Sequence, residues 1–117
     1  MDDSEQVVRT GAPVSLSWNP EEGCVRAMER PRRVLVDGRA LGGASVLLFA
    51  DPKPTMGVRA GGLRVLGENP GWQLAWVRVS SGQWVALVTV SISSANEATS
   101  VRDLTLLVGP DDVRLID

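Results

Sequence analysis

The fold is decided by one stretch of sequence, Trp72-Gln-Leu-Ala-Trp-Val-Arg-Val-Ser-Ser-Gly-Gln-Trp-Val-Ala-Leu-Val-Thr-Val-Ser-Ile-Ser93. Apolar side chains recur at every second position on both sides of Ser80-Ser81-Gly82, and tryptophan and valine are both common in strands. Two such arms around a glycine-containing turn predict a long β-hairpin over about residues 72–93.

Two registers of this hairpin are open to the sequence. A two-residue loop, Ser81-Gly82, would place Trp76 opposite Leu87, whereas a three-residue loop with Gly82 in the left-handed conformation would place Trp76 opposite Ala86. The difference of one residue decides which side chains share a face. We expect the three-residue loop, because it gathers most of the large apolar side chains of the hairpin on one face beside a single polar residue, Arg78. That face would hold Trp72, Leu74, Trp76, Trp84, Ala86, Val88, Val90 and Ile92.

The opposite face of the hairpin is also apolar near the turn, at Ala75, Val77, Val79, Val85 and Leu87. Such a face is either covered by another part of the chain or presented to a partner. We expect cover from within the chain, because apolar stripes are more commonly core than interface.

The rest of the chain adds short strand candidates separated by turn signals. Strands are predicted at residues 14–18, 44–50, 56–60 and 101–108, and Asp37-Gly38 predicts a second, shorter hairpin. Pro31 should interrupt any ladder in which it lies. A chain of 117 residues can bury one core. We therefore predict one small all-β domain over residues 1–117, either an antiparallel β-barrel or a β-sandwich, with residues 1–5 flexible.

The composition argues against catalysis by this chain alone. Histidine and tyrosine are both absent, which leaves carboxylates, Lys53 and Cys24 for proton transfer. Cys24 is expected to be a small buried residue and not a nucleophile. Neither Gly42-Gly43 nor Gly61-Gly62 precedes a predicted helix, as a phosphate-binding glycine loop would. We expect no enzymatic activity without another subunit, no metal site and no cofactor.

The cellular location follows from equally simple features. A single cysteine excludes an internal disulfide and favours a reducing compartment. The acidic start lacks the pattern of a signal peptide, and the longest apolar run, Val46 to Ala50, is far shorter than the roughly 20 residues of a membrane helix. We therefore expect a cytoplasmic protein that does not bind membranes.

Positive charge is concentrated between residues 26 and 39, where five arginines accompany two acids in a chain of net charge -2. Guanidinium groups hold phosphate or carboxylate through paired hydrogen bonds, so this cluster is a candidate anion site. The alternative is an ordinary solvated surface, partly paired with Glu21, Glu22 and Glu29. The arginines are Arg26, Arg30, Arg32, Arg33 and Arg39.

Two short motifs resemble those of PilZ domains, small β-barrels that bind a cyclic dinucleotide. Arg26-Ala-Met-Glu-Arg30 is similar to the Arg-x-x-x-Arg stretch that precedes the barrel in that family. Gly57-Val-Arg59-Ala-Gly-Gly62 lies where the family has its Asp-x-Ser-x-x-Gly turn, but Gly57 replaces the acid and Arg59 replaces the serine. The resemblance covers about a dozen positions and does not assign the chain to the family; what it implies is a barrel with an arginine-lined nucleotide site.

Two functions from different classes follow. The first is a non-catalytic binding or adaptor module that uses a strand edge or a tryptophan-bearing sheet face to hold a protein partner or a second copy of itself. The alternative is an anion-recognition domain, in which arginine contacts phosphate and tryptophan stacks on a base of a nucleotide or nucleic acid. The acidic overall charge favours the first. The candidate binding residues are Arg26, Arg30, Arg32, Arg33, Arg39, Arg59, Trp72 and Trp76.

Overall fold

A computed structural model describes residues 6–8, 16–41 and 53–116 of the chain. Single 3-10 turns lie at Pro20–Glu22, Gly38–Ala40 and Pro110–Asp112, and one short helix, α1, spans Met56–Gly61. The strands are β1 (Gln6–Val8), β2 (Leu16–Trp18), β3 (Val25–Asp37), β4 (Glu68–Arg78), β5 (Trp84–Ser93), β6 (Ser100–Val108) and β7 (Val113–Leu115). The predicted all-β class is therefore confirmed.

Five strands form one antiparallel sheet in the order β6-β5-β4-β3-β7, and β1 pairs with β2 in a separate two-stranded sheet. In the described part of the chain β6 and β7 are not paired with each other, so the five-stranded sheet is open and not a closed barrel. The antiparallel arrangement is confirmed, while the choice between barrel and sandwich stays a prediction.

The five-stranded sheet is nevertheless curled. Only residues 109–112 join β6 to β7, although these strands lie at opposite edges of the sheet. Such a link spans at most about 17 Å. Four strand spacings across a flat sheet would already take about 19 Å, before any offset along the strands. The sheet must therefore bend around one of its faces, which we call the inner face.

The inner face carries the main core. Val34 and Val36 of β3 pack there with Ala86, Val88 and Val90 of β5. Leu41 and Val65, from the segment between β3 and β4, cover this face. On the outer face Leu16 of β2 packs against a smaller cluster of Leu74, Ala75 and Leu87. The expected intramolecular cover of the hairpin's second apolar face is thus confirmed at Ala75 and Leu87.

The central hairpin has the expected register. Trp76 lies opposite Ala86, and Val79 donates its backbone N–H to Gln83 across a loop of residues 80–82. Gly82 has a φ of 101°, a conformation that costs glycine little and other residues much more. The register expected from the distribution of apolar side chains over the two faces is therefore the one that the hairpin adopts.

One prediction about this hairpin is wrong, because β4 contains a bulge at Leu74. Gln73 pairs with Val88 and Ala75 pairs with Leu87, so Leu74 is an extra residue. An extra residue reverses the alternation of faces beyond it. Trp72, expected in the same core as Trp76, lies instead on the outer face opposite Thr89, with 47% of its surface exposed.

The ladder between β3 and β4 is also irregular, at the position of the Leu74 bulge. Pairing passes from Ala27 and Ala75 directly to Arg32 and Gln73, so four residues of β3 lie opposite one residue of β4. Pro31 lies within that interruption, as expected for a residue that cannot donate to a ladder.

Several short elements differ from the sequence-based predictions. Residues 56–61 form α1 and not a strand, because the Thr55 side chain caps the helix by accepting from the backbone of Val58. Asp37-Gly38 does not form a hairpin, since Asp37 caps a 3-10 turn and Gly38 donates its N–H to Gly67. The predicted strand at residues 44–50 lies outside the described residues.

Candidate functional site

The inner face ends near the hairpin turn in a group of arginine and tryptophan side chains. Arg26 of β3 pairs with Trp76 of β4, and Arg78 of β4 pairs with Trp84 of β5. Directly opposite residues in an antiparallel ladder project to the same face. The three adjacent strands therefore bring two arginines and two tryptophans to one surface.

The guanidinium groups lie over the indole rings. The Cζ of Arg26 is 4.6 Å from the ring centroid of Trp84, and the Cζ of Arg78 is 5.8 Å from the same ring. Arg32 approaches Trp76 at 6.0 Å. These distances are within the range of cation–π attraction, which holds the long arginine side chains in place.

A groove of about 720 Å³ opens at this end of the inner face. It is wide open to solvent and mostly apolar. We call it the arginine–tryptophan groove; it is lined by Arg26, Trp76, Val79, Gln83, Trp84, Val85, Gly109 and Pro110. Gly109 and Pro110 belong to the link that crosses from β6 to β7, so the curl of the sheet forms one wall of the groove.

A buried glutamine holds Arg32 next to the groove. Gln73 has no exposed surface, and its Oε1 accepts a hydrogen bond of 2.9 Å from Nε of Arg32. The Nε2 of Gln73 donates to the carbonyl of Ala75, beside the Leu74 bulge. The oxygen and the nitrogen of the buried Gln73 amide thus each have a hydrogen-bond partner. The bond to Nε fixes the Arg32 side chain in its orientation toward Trp76.

The arginines of the inner face have no carboxylate partner in the described residues. The ion pairs of the described residues join Arg39 to Asp37 and Asp112, and Arg114 to Glu68, so none of them involves Arg26, Arg32 or Arg78. Arg78 donates only to the backbone carbonyl of Gly82. The groove is therefore a positively charged surface with an apolar floor.

The structure divides the predicted arginine cluster into separate places. Arg26, Arg32 and Trp76 come together on the inner face. Arg33 pairs with Trp72 on the outer face, where its Cζ is 5.9 Å from the ring centroid. The other three predicted residues do not join either group: Arg30 in the interruption of β3, Arg59 on α1 and Arg39 beside Asp37.

Arg39 is neutralised and does not serve as a free anion site. Its backbone N–H and its side chain both bond to the Asp37 carboxylate, which lowers the pKa of Asp37. The same side-chain bond, with the attraction of Asp37 and Asp112, raises the pKa of Arg39.

Two residues of the site were missed from the sequence, Trp84 and Arg78. The alternation of side chains in the hairpin already placed Trp84 and Arg78 on the same face as Trp76, so the sequence did contain the information needed to include them. What the sequence did not indicate is that Arg26, 58 positions earlier, lies over Trp84.

The prediction that Cys24 is buried is wrong. Cys24 is exposed, not buried as expected, and its thiol is 3.5 Å from the carbonyl of Glu22. Within residues 6–8, 16–41 and 53–116, no group of three acidic or cysteine side chains could hold a metal ion. Among the same residues, no helix has the length and apolar character needed to cross a membrane.

No family model, curated protein or solved structure matches this chain. The resemblance to PilZ domains therefore rests on the quoted residues alone. Its two motifs also lie in unexpected elements, since Arg26 and Arg30 are inside strand β3 and residues 57–61 belong to helix α1.

Proposed function

We propose that this protein is a non-catalytic binding module whose arginine–tryptophan groove holds a short acidic segment of a protein partner. The observation that carries the proposal is the pair Arg26 and Arg78 over Trp84, with no carboxylate paired to either arginine in the described part of the chain. A partner carboxylate would supply the missing negative charge.

The geometry suits a carboxylate because a guanidinium group lying over an indole keeps its N–H donors in its own plane. Those donors can hold a carboxylate through two parallel hydrogen bonds while the ring below holds the arginine in place. Val79, Val85 and Pro110 also line the groove and add apolar surface that can receive one apolar side chain. An open groove of this kind accepts an extended chain more readily than a compact ligand.

The same geometry makes stacking of a nucleic-acid base less favourable. A base would need a free indole face, but Arg26 and Arg78 both approach Trp84, and Arg32 approaches Trp76. Anion recognition of a nucleotide, the alternative from the sequence, is therefore an outcome that the binding experiment has to separate from peptide binding.

The finer architecture fits this function. We infer that the curled sheet is an open barrel with the groove at its mouth, where barrels commonly bind ligands. The short link between β6 and β7 supports this interpretation over a sandwich. A cytoplasmic location, expected from the single cysteine, stays a prediction, and we propose a cytoplasmic protein partner accordingly.

The proposal is tested by fluorescence anisotropy with a labelled peptide in which a single leucine is flanked by glutamates. The probe is titrated with the protein at low and high salt. We expect binding with a Kd of tens of micromolar, on the order of 6 kcal/mol, that weakens as salt rises. A peptide with lysine in place of glutamate, and a single-stranded oligothymidine, serve as comparison probes.

The decisive variants are Arg26→Gln and Arg30→Gln. Both remove an exposed arginine from β3, but only Arg26 lies over Trp84. We expect Arg26→Gln to weaken the acidic peptide at least about fivefold, a loss of roughly 1 kcal/mol, and Arg30→Gln to leave it unchanged. Equal effects of the two variants, or tighter binding of the oligothymidine than of the peptide, would overturn the proposal.

A further inference from the structure

The edge strand β6 carries an uncharged segment whose side chains are exposed at Leu104, Thr105 and Leu107. β6 pairs with β5 and with no other strand in the described part of the chain. A strand that is paired on one side only leaves a row of N–H and C=O groups unpaired on the other side. The sequence of this edge from Leu104 to Val108 is Leu-Thr-Leu-Leu-Val, which contains no charged residue.

Both faces of this edge expose leucine. Leu104 pairs with Val90 on the inner face and is 37% exposed, while Leu107 pairs with Leu87 on the outer face and is 52% exposed. Their neighbours in β5, Val90 and Leu87, are buried. The two leucines therefore extend the apolar surface of each face out to the edge of the sheet.

Features that usually prevent pairing of a strand edge are confined to the start of β6. Arg102 and Asp103 together oppose the single residue Ser91, which makes a bulge, and Asp103 has a φ of 54°. Charges and bulges of this kind block the approach of another strand. Beyond Asp103 the ladder is regular, so residues 104–108 lack this protection.

The opposite edge of the sheet is protected more completely. β7 is only three residues long, and its Arg114 is paired with Glu68 of β4. The part of β3 beyond β7 contains Pro31, an interrupted ladder and four arginines. Proline and positive charge at an edge both oppose strand addition. Of the two edges of the sheet, β6 is therefore the one that can accept another strand.

We propose that β6 pairs in antiparallel fashion with β6 of a second copy of this chain, through residues 104–108. A two-fold axis perpendicular to the sheet places each uncharged edge against an identical one, without any need for charge complementarity. Such a pairing is centred on Leu106, which lies opposite its own copy. Leu104 then lies opposite Val108 on the inner face, and Leu107 lies opposite Thr105 on the outer face. The two five-stranded sheets would join into one ten-stranded sheet.

The dimer expected from this contact is weak. A single pair of strand edges with a few leucines buries less than the roughly 1,200 to 2,000 Å² of a standard stable interface. We therefore expect a dimer that dissociates on dilution, with a Kd in the micromolar range, about 8 kcal/mol or less. The contact ends at Val108, next to Gly109 and Pro110 of the arginine–tryptophan groove, but the argument for it does not depend on the function proposed for the groove.

The test is sedimentation equilibrium of the full chain at increasing concentration, with two matched variants. Leu107→Lys and Leu115→Lys place the same charge on exposed leucines, 52% and 48% accessible, at opposite edges of the sheet. We expect Leu107→Lys to raise the dimer Kd more than about tenfold, because a two-fold contact brings the two lysines together. Leu115→Lys is expected to leave the Kd unchanged.

Hydrogen exchange gives a second readout that needs no variant. In a dimer, the outward amides of residues 104–108 become protected as the concentration rises, while those of β7 do not. The proposal is overturned by a chain that stays monomeric up to about 1 mM, well above the expected Kd. It is also overturned by a dimer that Leu107→Lys does not weaken, since another surface would then make the contact.

Discussion

The Nε of Arg32 donates a 2.9 Å hydrogen bond to the Oε1 of Gln73, a side chain with no exposed surface. This bond joins β3 to β4 at the place where the ladder between them resumes after its interruption. It also relates the core to the groove, because the same guanidinium lies 6.0 Å from the ring centroid of Trp76. The buried amide thus helps to position a charge at the surface.

Replacing this glutamine with an apolar residue should destabilise the fold. Gln73→Leu removes the acceptor of Arg32 and the donor to the carbonyl of Ala75. A lost partner of a buried polar group costs about 2 kcal/mol, so we expect a decrease of that size in the free energy of unfolding measured with urea. In the double variant Arg32→Leu with Gln73→Leu, the two losses should fall short of additivity by about 1 kcal/mol or more. Strict additivity would mean that the bond contributes nothing.

The stacking of Arg26 on Trp84 should contribute to stability as well as to binding. Arg26→Gln removes the cation 4.6 Å from the ring and is expected to lower the free energy of unfolding by about 0.5 to 1 kcal/mol. The emission of Trp84 should change at the same time. Arg30→Gln, four residues along the same strand, should alter neither quantity, and a similar shift in both variants would point to a general charge effect.

Glycine is required at position 38 but not at position 57. A Cβ built on Gly38 would be 1.8 Å from the carbonyl oxygen of Val65, an atom that also accepts from the side chain of Asn69. Gly38→Ala should therefore force the two segments apart and cost about 3 kcal/mol in urea denaturation. Gly57 has nothing within 4 Å of such a Cβ. Because Gly57 lies in α1, Gly57→Ala should raise stability by up to about 1 kcal/mol. Equal effects of the two substitutions would contradict this packing.

The pairing of Asp37 with Arg39 should contribute to stability only above the titration range of the carboxyl group. The hydrogen bonds from the backbone and side chain of Arg39 lower the pKa of Asp37. A carboxyl whose folded pKa lies below its unfolded value of about 3.9 stabilises the fold above that value and loses the contribution as the pH falls through the folded pKa. Asp37→Asn should therefore be less stable than the wild type near pH 7, and thermal melts of the two should converge once the pH has fallen below the lowered pKa of Asp37. A difference that persisted at that pH would show that the charge is not its cause.

The hairpin could be predicted from residues that are close in the chain, but the bulge in β4 could not, because it depends on a contact between distant residues. The alternation of apolar residues and the Ser80-Ser81-Gly82 loop depend on neighbours in the chain, and they correctly place Trp76 opposite Ala86. The bulge at Leu74 has no such signal, since Gln73-Leu74-Ala75 contains neither glycine nor proline. It coincides with the bond between Gln73 and Arg32, two residues that are 41 positions apart.

In the candidate site, too, some features could be predicted from neighbouring residues and others depend on residues far apart in the chain. A cluster of arginines in the sequence is not a cluster in space, because adjacent residues of a strand project to opposite faces. Arg32 accordingly lies on the inner face and Arg33 on the outer face. That separation could have been predicted from the alternation alone. The contact between Arg26 and Trp84 could not, because it depends on which strands are neighbours in the sheet.

The bulge at Leu74 makes the number of residues in β4 more important than most of their identities. An exchange of one side chain there alters a single contact. Deletion of Leu74 would instead make Gln73 and Ala75 neighbours in a regular ladder, because their partners Val88 and Leu87 are already adjacent. Trp72 would stay on the outer face, and Gln73 would stay on the inner face beside Arg32. Among related sequences, a deletion within this segment should therefore be found at position 74 and not at its neighbours.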